Sequence, residues 1–227
     1  MTDLAAGADW EEQARNWIAW VRKPNHDSYW QYRDDFFAMV PKPGKATLDA
    51  GCGEGRVSRD LAARGHTVIG IDAAPTMVAA AREADPTGTY LCGDAADLPF
   101  PDNSFDLVVA YNTLMDVPDL PGAVREARRV LAPGGRMCVS IVHPITNTSS
   151  WREGQSYFET RRVSDLVQRD GLSMLFQGWS HPLTAFTRPL EDAGLLIEAI
   201  REPQWVNADG TTHPVPFLLW FRALRPM

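Results

Sequence analysis

A glycine-rich segment that follows an apolar stretch has the composition of a ligand-binding loop. Residues 49–55 have the sequence DAGCGEG and come directly after the apolar residues that end at Leu48. Glycines at the end of a buried strand let the backbone turn sharply and approach a bound nucleoside or phosphate closely. Asp49 favours a ligand with a cationic amine, because a carboxylate beside a pyrophosphate would be repulsive. The segment therefore predicts a nucleoside site in which one part of the ligand is positively charged.

A dinucleotide site is the main alternative for the same segment. The G-x-G-x-x-G pattern, counted from Gly51, requires a third glycine at position 56, where this chain has Arg56. That glycine permits close packing of helix on strand and approach of the pyrophosphate. The chain also has no Tyr followed four residues later by Lys, the pair that short-chain reductases use. A nicotinamide-dependent reductase is therefore the less favoured hypothesis.

Histidines are the candidate general bases. His143 follows an apolar strand over residues 137–142, at the strand end where catalytic groups collect in α/β sheets. A neutral imidazole there could take a proton from an acceptor, whereas the alternative is a structural histidine bonded to the backbone. His66 and His213 are expected to be structural. For His26 the sequence does not distinguish helix capping from substrate contact.

An alternation of strands and helices surrounds these residues. Strands are predicted over residues 46–50, 67–72, 90–92, 105–110 and 137–142, and helices over 57–64, 75–84 and 120–131. This rhythm is typical of a doubly wound α/β fold, in which a mostly parallel sheet is covered by helices on both faces. Since parallel strands end at one edge of the sheet, the glycine segment and the acidic residues after later strands should meet there.

Two segments outside the alternation could cover that edge. Residues 1–43 are predicted to be an N-terminal helical cap with Asp9 as a capping residue, and most of its aromatic side chains are expected to belong to the core. Residues 144–185 are polar and aromatic, with Trp151 and Trp179, and are long for a simple connection. We expect a substrate-side insertion there. The cofactor-binding core is predicted over residues 44–143, and a final helix and strands over 186–227. Together with the two covering segments, they are expected to form a single domain.

Composition narrows the possible partners. The 227 residues carry 22 basic and 29 acidic side chains, a net charge of -7, which disfavours a nucleic acid partner. No apolar stretch is long enough to cross a bilayer, so no membrane partner is expected. Cys52, Cys92 and Cys138 are far apart, so we expect no metal site and a reducing, cytoplasmic location. The oligomeric state is not indicated.

An ordered set of motifs resembles the class I S-adenosylmethionine-dependent methyltransferases, most closely their type-11 methyltransferase domain. After the glycine segment, Asp72 ends the second strand 21 positions beyond Gly51, and the sequence GDA at 93–95 precedes LPFPDNSFD at 98–106. The segment LAPGG at 131–135 is similar to the family's turn before the fifth strand. The resemblance covers about residues 45–142. It implies a seven-stranded Rossmann-like sheet whose last strand, at 217–224, is antiparallel, and S-adenosylmethionine as cofactor, leaving as S-adenosylhomocysteine.

The same resemblance implies roles for individual residues. Asp72 would accept hydrogen bonds from both ribose hydroxyls, which suits a carboxylate. Met77 would lie against the adenine, with a core role as the alternative, and Asp94 would accept from the adenine amino group. Tyr111 would line the methionine end. The complete set of predicted cofactor residues is Asp49, Ala50, Gly51, Gly53, Asp72, Ala73, Met77, Asp94, Ala95 and Tyr111.

The resemblance also implies that the N-terminal helices close over the cofactor, so that Tyr29 or Tyr32 could reach the reactants. His143 and Tyr32 are therefore the predicted catalytic residues, and no metal ligand is predicted. Residues 110–113, AYNT, stand where base-amine methyltransferases of the family have an NPPY-like motif, which argues against methylation of DNA bases.

Methyl transfer to a small molecule by in-line displacement is the expected function. A protein on the same fold that binds the cofactor without catalysis, its acceptor site blocked, remains the alternative. The sequence does not distinguish oxygen, nitrogen or carbon as acceptor. The 8 tryptophans are compatible with a flat or aromatic acceptor, although buried tryptophans explain them equally well.

Overall fold

Strands alternate with helices through most of the computed structural model, which describes residues 7–24, 26–146, 156–207 and 210–227. The strands of this described part are β1 (Thr47–Ala50), β2 (Val68–Asp72), β3 (Thr89–Cys92), β4 (Phe105–Tyr111), β5 (Leu131–Val142), β6 (Arg161–Arg169), β7 (Leu172–Ser180), β8 (Leu196–Arg201) and β9 (Leu218–Leu224). The helices are α1 (Ala8–Val21), α2 (Tyr29–Met39), α3 (Arg56–Ala63), α4 (Pro75–Ala84), α5 (Leu120–Val130) and α6 (Thr184–Asp192), with a 3₁₀ turn at Leu114–Asp116.

Seven of these strands form one sheet in the order β3-β2-β1-β4-β5-β9-β8. The first five strands along the chain pair in parallel, while β9 runs antiparallel to both β5 and β8. The predicted doubly wound, mostly parallel sheet with an antiparallel last strand is thereby confirmed. The strand order reverses beside β1, so the carboxyl ends of β1 and β4 border the crevice where such sheets bind ligands.

Both faces of the central strands are buried, as expected for strands with helices on either side. Adjacent residues of β4 point in opposite directions: Val108 packs in the cluster that includes Val124 of α5, and Val109 packs in the cluster that includes Phe36 of α2. Leu48 of β1 is fully buried. The apolar side chains of each central strand therefore pack against helices on both faces of the sheet. This packing fixes the positions of the strands' carboxyl ends relative to one another.

The first turn of the N-terminal helical cap differs from the prediction that Asp9 caps its helix. The helix α1 begins after Gly7, and Asp9 lies within its first turn instead of capping it. The Asp9 carboxylate pairs with Arg162 of β6 at 2.7 Å. Glu11 provides a second anchor, since its carboxylate accepts hydrogen bonds from the backbone N–H of Thr76 at 3.0 Å and from its hydroxyl at 2.6 Å. The carboxylate of α1 thus satisfies an open N–H in the first turn of α4.

The predicted insertion contains an antiparallel hairpin. Strands β6 and β7 pair from Arg161 with Ser180 to Arg169 with Leu172, and they pack on α1. Residues 147–155, including Trp151, lie outside the described residues. The final helix begins at Thr184, earlier than the predicted start near position 188, because Phe186 is buried and its N–H bonds to Leu183.

The fifth strand also begins earlier than predicted. It starts at Leu131, where the sequence predicts a turn, because Leu131 pairs with Phe105 before an irregular stretch of the ladder. Gly134 still adopts a positive φ of 79°. The segment LAPGG at 131–135, which resembles the turn of the family, is therefore the irregular first part of β5 and not a separate turn.

Candidate active site

A cavity of about 1230 Å³ opens at the carboxyl ends of β1, β2, β3 and β4. The helix α1, the segment between α1 and α2, and the hairpin β6–β7 form its other walls. Pockets for one small molecule are usually about 300–1,000 Å³, so this cavity has room for a nucleoside-sized ligand together with a second molecule.

Most predicted cofactor residues line this cavity. They come from four adjacent strand ends and the helices that follow, and they are Gly51, Gly53, Asp72, Ala73, Met77, Asp94, Ala95 and Tyr111. Two further predicted residues, Asp49 and Ala50, are buried at the end of β1, behind the lining residues. Because parallel strands end at one edge, residues up to 62 positions apart along the chain, such as Asp49 and Tyr111, come together.

Two glycines shape the loop between β1 and α3. Gly51 has φ +77°, and a Cβ there would lie 2.1 Å from Cγ2 of Thr113, so neither the backbone nor the space admits a side chain. Gly53 has φ +53°, and a Cβ there would meet only Nε1 of Trp17, at 3.9 Å. The space over Gly53 is therefore a cradle in which a ligand can approach the backbone.

The Asp72 carboxylate is held by the backbone on both sides. Its Oδ2 accepts from the N–H of Gly53 at 2.8 Å, and its Oδ1 accepts from the N–H of Ala74 at 2.9 Å. Burial raises the pKa of Asp72, and these two N–H bonds oppose that increase. Each carboxylate oxygen can accept a second hydrogen bond, so the fixed carboxylate fits a pair of vicinal hydroxyls. The arrangement is compatible with the predicted ribose contact, and α4 itself begins after Ala74 without a side-chain cap.

Asp49 is a buried carboxyl with one open oxygen. Its Oδ2 accepts from the Ser58 hydroxyl of α3 at 2.6 Å, and its Oδ1 has no hydrogen-bond partner among the described residues. Burial raises the pKa of Asp49 to about 7, and the nearby Asp72 adds to the increase. A cationic group close to Asp49 would restore its ionised form, which agrees with the amine predicted from the sequence.

Met77, Asp94 and Tyr111 each have a structural contact in addition to their place in the cavity wall. Met77 is 2% exposed and packs against Ala14 of α1, so it belongs to the core and to the lining. Asp94 accepts from the N–H of Ala96 at 2.8 Å. Burial raises the pKa of Tyr111, whose hydroxyl has no hydrogen-bond partner in the described part of the chain.

The two predicted catalytic residues are not among the described residues that line the cavity. Nε2 of His143 pairs with Glu202 at 2.9 Å, and its Nδ1 accepts from the N–H of Ile145 at 3.1 Å. This backbone bond is the structural alternative considered for His143. Tyr32 is 1% exposed, lies beside Trp220, and has its pKa raised to about 12 by burial. Their catalytic roles stay predictions, and the structure does not bring them to the ligand space.

A buried ion pair beside the glycine loop was not predicted. Arg56, the first residue of α3, pairs with Asp27, and the side chains are 14% and 10% exposed. The guanidinium lies over the ring of Tyr29 at 4.5 Å and that of Trp17 at 5.4 Å. Burial raises the pKa of Asp27, and the Arg56 charge opposes that increase. The sequence analysis noted Arg56 because a dinucleotide motif would have glycine there. Its partner Asp27 lies in a different segment of the chain, so no local sequence pattern indicates the pair.

Aromatic side chains from α1, β7 and the segment before β9 also line the cavity. Trp10 and Trp17 contact each other edge to face at 5.5 Å, and Trp17 contacts Phe176 of β7 at 6.1 Å. Trp20 contacts the same Phe176 at 5.9 Å. Besides Tyr111, the Trp and Phe side chains that line the cavity are Trp10, Trp17, Trp20, Phe176, Trp179, Trp205 and Phe217. We call this set the aromatic wall.

A half-buried carboxyl, Asp116, stands near the aromatic wall. Asp116 lines the cavity and accepts from Nε1 of Trp10 at 3.1 Å. Burial raises the pKa of Asp116 to about 7, and the Trp10 bond and the charge of Arg162 oppose the increase.

Among the described residues no group of His, Cys, Asp and Glu could hold a metal ion. The described helices are also all too short or too polar to span a membrane.

Comparison with known proteins identifies what this arrangement resembles. A family model described as a methyltransferase domain matches residues 48–139. An uncharacterized methyltransferase of Synechocystis sp. is 36% identical over 144 residues, which are 61% of this chain and 68% of that protein. The nocamycin O-methyltransferase of Saccharothrix syringae is 40% identical over 178 residues, 74% of this chain and 61% of that protein.

A solved structure extends the likeness to the whole fold. The S-adenosylmethionine dependent methyltransferase from Mesorhizobium loti superposes with a TM-score of 0.66 at 24% identity, covering 86% of this chain and 97% of the other. The chain thus spans 68% of the length of the first curated relative and 61% of the second. The solved structure shares the fold, and the family model covers the chain from β1 into β5.

Proposed function

Because the chain belongs to the S-adenosylmethionine-dependent methyltransferases, we propose that it methylates a small organic acceptor that binds against the aromatic wall. The observation that supports this function is one cavity of about 1230 Å³ that joins the glycine loop and the acidic strand ends to an aromatic half. The non-catalytic alternative would require a blocked acceptor site, and the continuous cavity supports the catalytic interpretation.

The cofactor half fits S-adenosylmethionine. When bound, S-adenosylmethionine supplies an electrophilic methyl group on a sulfonium. The Asp72 carboxylate, fixed by two backbone N–H groups, is suited to the ribose hydroxyls, and the cradle at Gly53 admits the ligand beside the backbone. The open oxygen of Asp49 lies behind the loop, where a methionine amine would find a negative charge.

The acceptor half fits a flat, apolar molecule. Tryptophan and phenylalanine rings supply a large apolar surface with few rotatable bonds, so they hold a planar ligand at a small entropic cost. Their role is to position the acceptor and to exclude water, since methyl transfer depends mainly on alignment of the attacking atom. The name of the nocamycin relative, an O-methyltransferase, agrees with a small-molecule acceptor.

Calorimetric titration with S-adenosylhomocysteine, alongside NADH, tests the cofactor half. We expect micromolar binding of the first ligand, none of the second, and a loss of about 10²–10⁴-fold in affinity for Asp72→Ala, because two hydrogen bonds to a charged group are removed. The exposed Asp192→Ala is the matched control and should bind as the wild type does. The acceptor half is then tested by S-adenosylhomocysteine release with a panel of phenols, alcohols and amines. Binding of NADH, or of neither ligand, would refute the proposal.

A further inference from the structure

His26 stands in the cavity wall in an arrangement that none of the other described histidines shares. It lies between α1 and α2, is 6% exposed, and lines the cavity. Its ring contacts Trp20 edge to face at 4.7 Å, and its backbone carbonyl accepts from Nε1 of Trp20 at 3.0 Å. The ring is therefore clamped by the aromatic wall and is not free to turn toward solvent.

A carboxylate on the hairpin determines which ring nitrogen of His26 bears the proton. Oδ2 of Asp170, in the turn between β6 and β7, lies 3.0 Å from Nε2. An ionised carboxylate only accepts, so Nε2 carries the hydrogen and Nδ1 keeps its lone pair in the neutral ring. Nδ1 is buried and has no hydrogen-bond partner among the described residues. A buried acceptor atom without a donor is costly, and a ligand hydroxyl would supply the donor.

The surrounding charges keep Asp170 ionised. The bond from His26 lowers the pKa of Asp170, and Lys23 and Arg169 contribute in the same direction. Lys23 also donates to the backbone carbonyl of Asp170 at 3.0 Å. The next residue along the chain, Asp27, pairs with Arg56. These groups, from the segment between α1 and α2, the hairpin and α3, are the charges near the histidine among the described residues.

The aromatic wall connects His26 with the cofactor half. Trp17 stands over the cradle at Gly53, Phe176 links Trp17 to Trp20, and Trp20 clamps His26. His26 and the glycine loop therefore border one cavity, in which an acceptor hydroxyl could lie between Nδ1 of His26 and the bound cofactor.

We propose that His26 is the general base of the reaction, that Asp170 is its positioning residue, and that the acceptor is methylated on a hydroxyl oxygen. This inference rests on the proposed function. Nδ1 of His26 takes the hydroxyl proton as the oxygen forms its bond to the methyl carbon, and the electron pair of the broken carbon–sulfur bond stays on sulfur. The imidazolium that results is stabilised by the Asp170 carboxylate. A neutral amine acceptor would not require such a base before attack.

The first test is His26→Gln, with His66→Gln as the matched control. His66 is also a buried histidine, but it is not among the residues that line the cavity, and its Nδ1 lies 3.0 Å from the Thr47 hydroxyl. With hydroxyl-bearing probes, phenols and aliphatic alcohols, we expect kcat to fall about 10²–10⁴-fold in His26→Gln and to stay unchanged in the control. S-adenosylhomocysteine affinity, measured by calorimetry, should be unchanged in both variants.

The second test is Asp170→Asn, which keeps the turn because asparagine tolerates the left-handed backbone found there, at φ 49°. Its amide oxygen can still accept from Nε2 but lacks the charge that stabilises imidazolium. The rising limb of the pH profile of kcat/KM should therefore move to lower pH, which loss of a purely structural bond would not cause. Nitrogen-15 spectra of the histidine-labelled wild type should show hydrogen on Nε2 and a bare Nδ1 in His26.

The outcomes separate this inference from the proposed function. If the wild type fails to bind S-adenosylhomocysteine, the proposed function itself fails. If the wild type binds it but methylates only amines or none of the hydroxyl probes, or if His26→Gln retains kcat, only the assignment of His26 and a hydroxyl acceptor is overturned. A proton on Nδ1 in the wild type also overturns it.

Discussion

The pH dependence of cofactor binding should report the ionisation of Asp49. Burial raises its pKa from the ordinary 3.8 to about 7, and one carboxylate oxygen lacks a partner among the described residues. If the amine of the methionine moiety pairs with Asp49, only the ionised carboxylate binds it well. S-adenosylhomocysteine should then bind more tightly as the pH rises through 7, and binding near neutrality should release a proton.

The magnitude follows from the fraction of Asp49 that is ionised. With a pKa of about 7, about a tenth of the carboxyl is ionised near pH ~6 and about nine tenths near pH ~8. The affinity of the wild type should therefore increase about tenfold over this range, equivalent to about 1.4 kcal/mol. The amine of a free amino acid stays protonated throughout, so it does not contribute to the change.

Calorimetry of wild type and Asp49→Asn measures this effect directly. The asparagine can still accept from Ser58, so the link between β1 and α3 is kept, while the titrating group is lost. Its affinity should be weak and independent of pH. Asp116→Asn is the control, because Asp116 also has a pKa of about 7 and lines the same cavity. The ligand control is 5′-methylthioadenosine, which has no amine and should bind without pH dependence.

The stability of the free protein should depend on pH in the opposite direction. A carboxyl whose pKa is raised on folding binds its proton more tightly in the folded state, so its contribution is complete below the unfolded pKa. That contribution is lost as the pH rises from about 4 through 7. Melting temperatures of the wild type should fall over this window relative to those of Asp49→Asn. A wild type with pH-independent affinity, or an Asn variant that keeps the tenfold change, would refute the role of Asp49.

Two further predictions concern the elements that shape the cavity. Gly51→Ala should abolish S-adenosylhomocysteine binding and destabilise the fold by more than the roughly 1–2 kcal/mol of backbone strain that Gly171→Ala suffers. Both glycines have φ near +78°, but an added methyl would clash only at Gly51, so equal melting temperatures of the two variants would contradict the reasoning. Glu11→Ala should expose α1 to rapid hydrogen exchange, because the two hydrogen bonds to Thr76 are lost, whereas exposed Glu12→Ala should not. Similar exchange in both glutamate variants would show that this link does not hold the cap.

Local sequence patterns predicted the central architecture well. The strand-and-helix alternation and the order of motifs indicated the parallel sheet, because each buried strand has a continuous apolar run and each turn has its own glycine or proline chemistry. Boundaries were less accurate where tertiary pairing extends an element. Leu131 joins β5 because Phe105 lies beside it, and Thr184 begins α6 because Phe186 is buried.

The candidate site divides in the same way. The glycine loop and Asp72 are local features, since a carboxyl end of a strand and a left-handed backbone leave a recognisable spacing. The partners across the cavity are not local: Asp170 meets His26 across 144 positions, and Arg56 meets Asp27 from a different element. No sequence periodicity indicates such contacts between distant segments. The sequence analysis therefore favoured His143, the histidine that follows a predicted strand.

The sequence by itself determined the fold class, the cofactor family and the edge of the sheet at which the ligand binds. These follow from hydrophobic runs, turn residues and short spacings, which act through neighbouring backbone geometry. Only the tertiary structure decided which side chains line the proposed acceptor half of the cavity, because the hairpin and the N-terminal cap are distant along the chain and meet only in the fold. His26 and the aromatic wall both line the cavity, while His143 pairs with Glu202 and is not among the lining residues. Local chemistry fixes where a site can form, and packing between distant segments decides which residues face it.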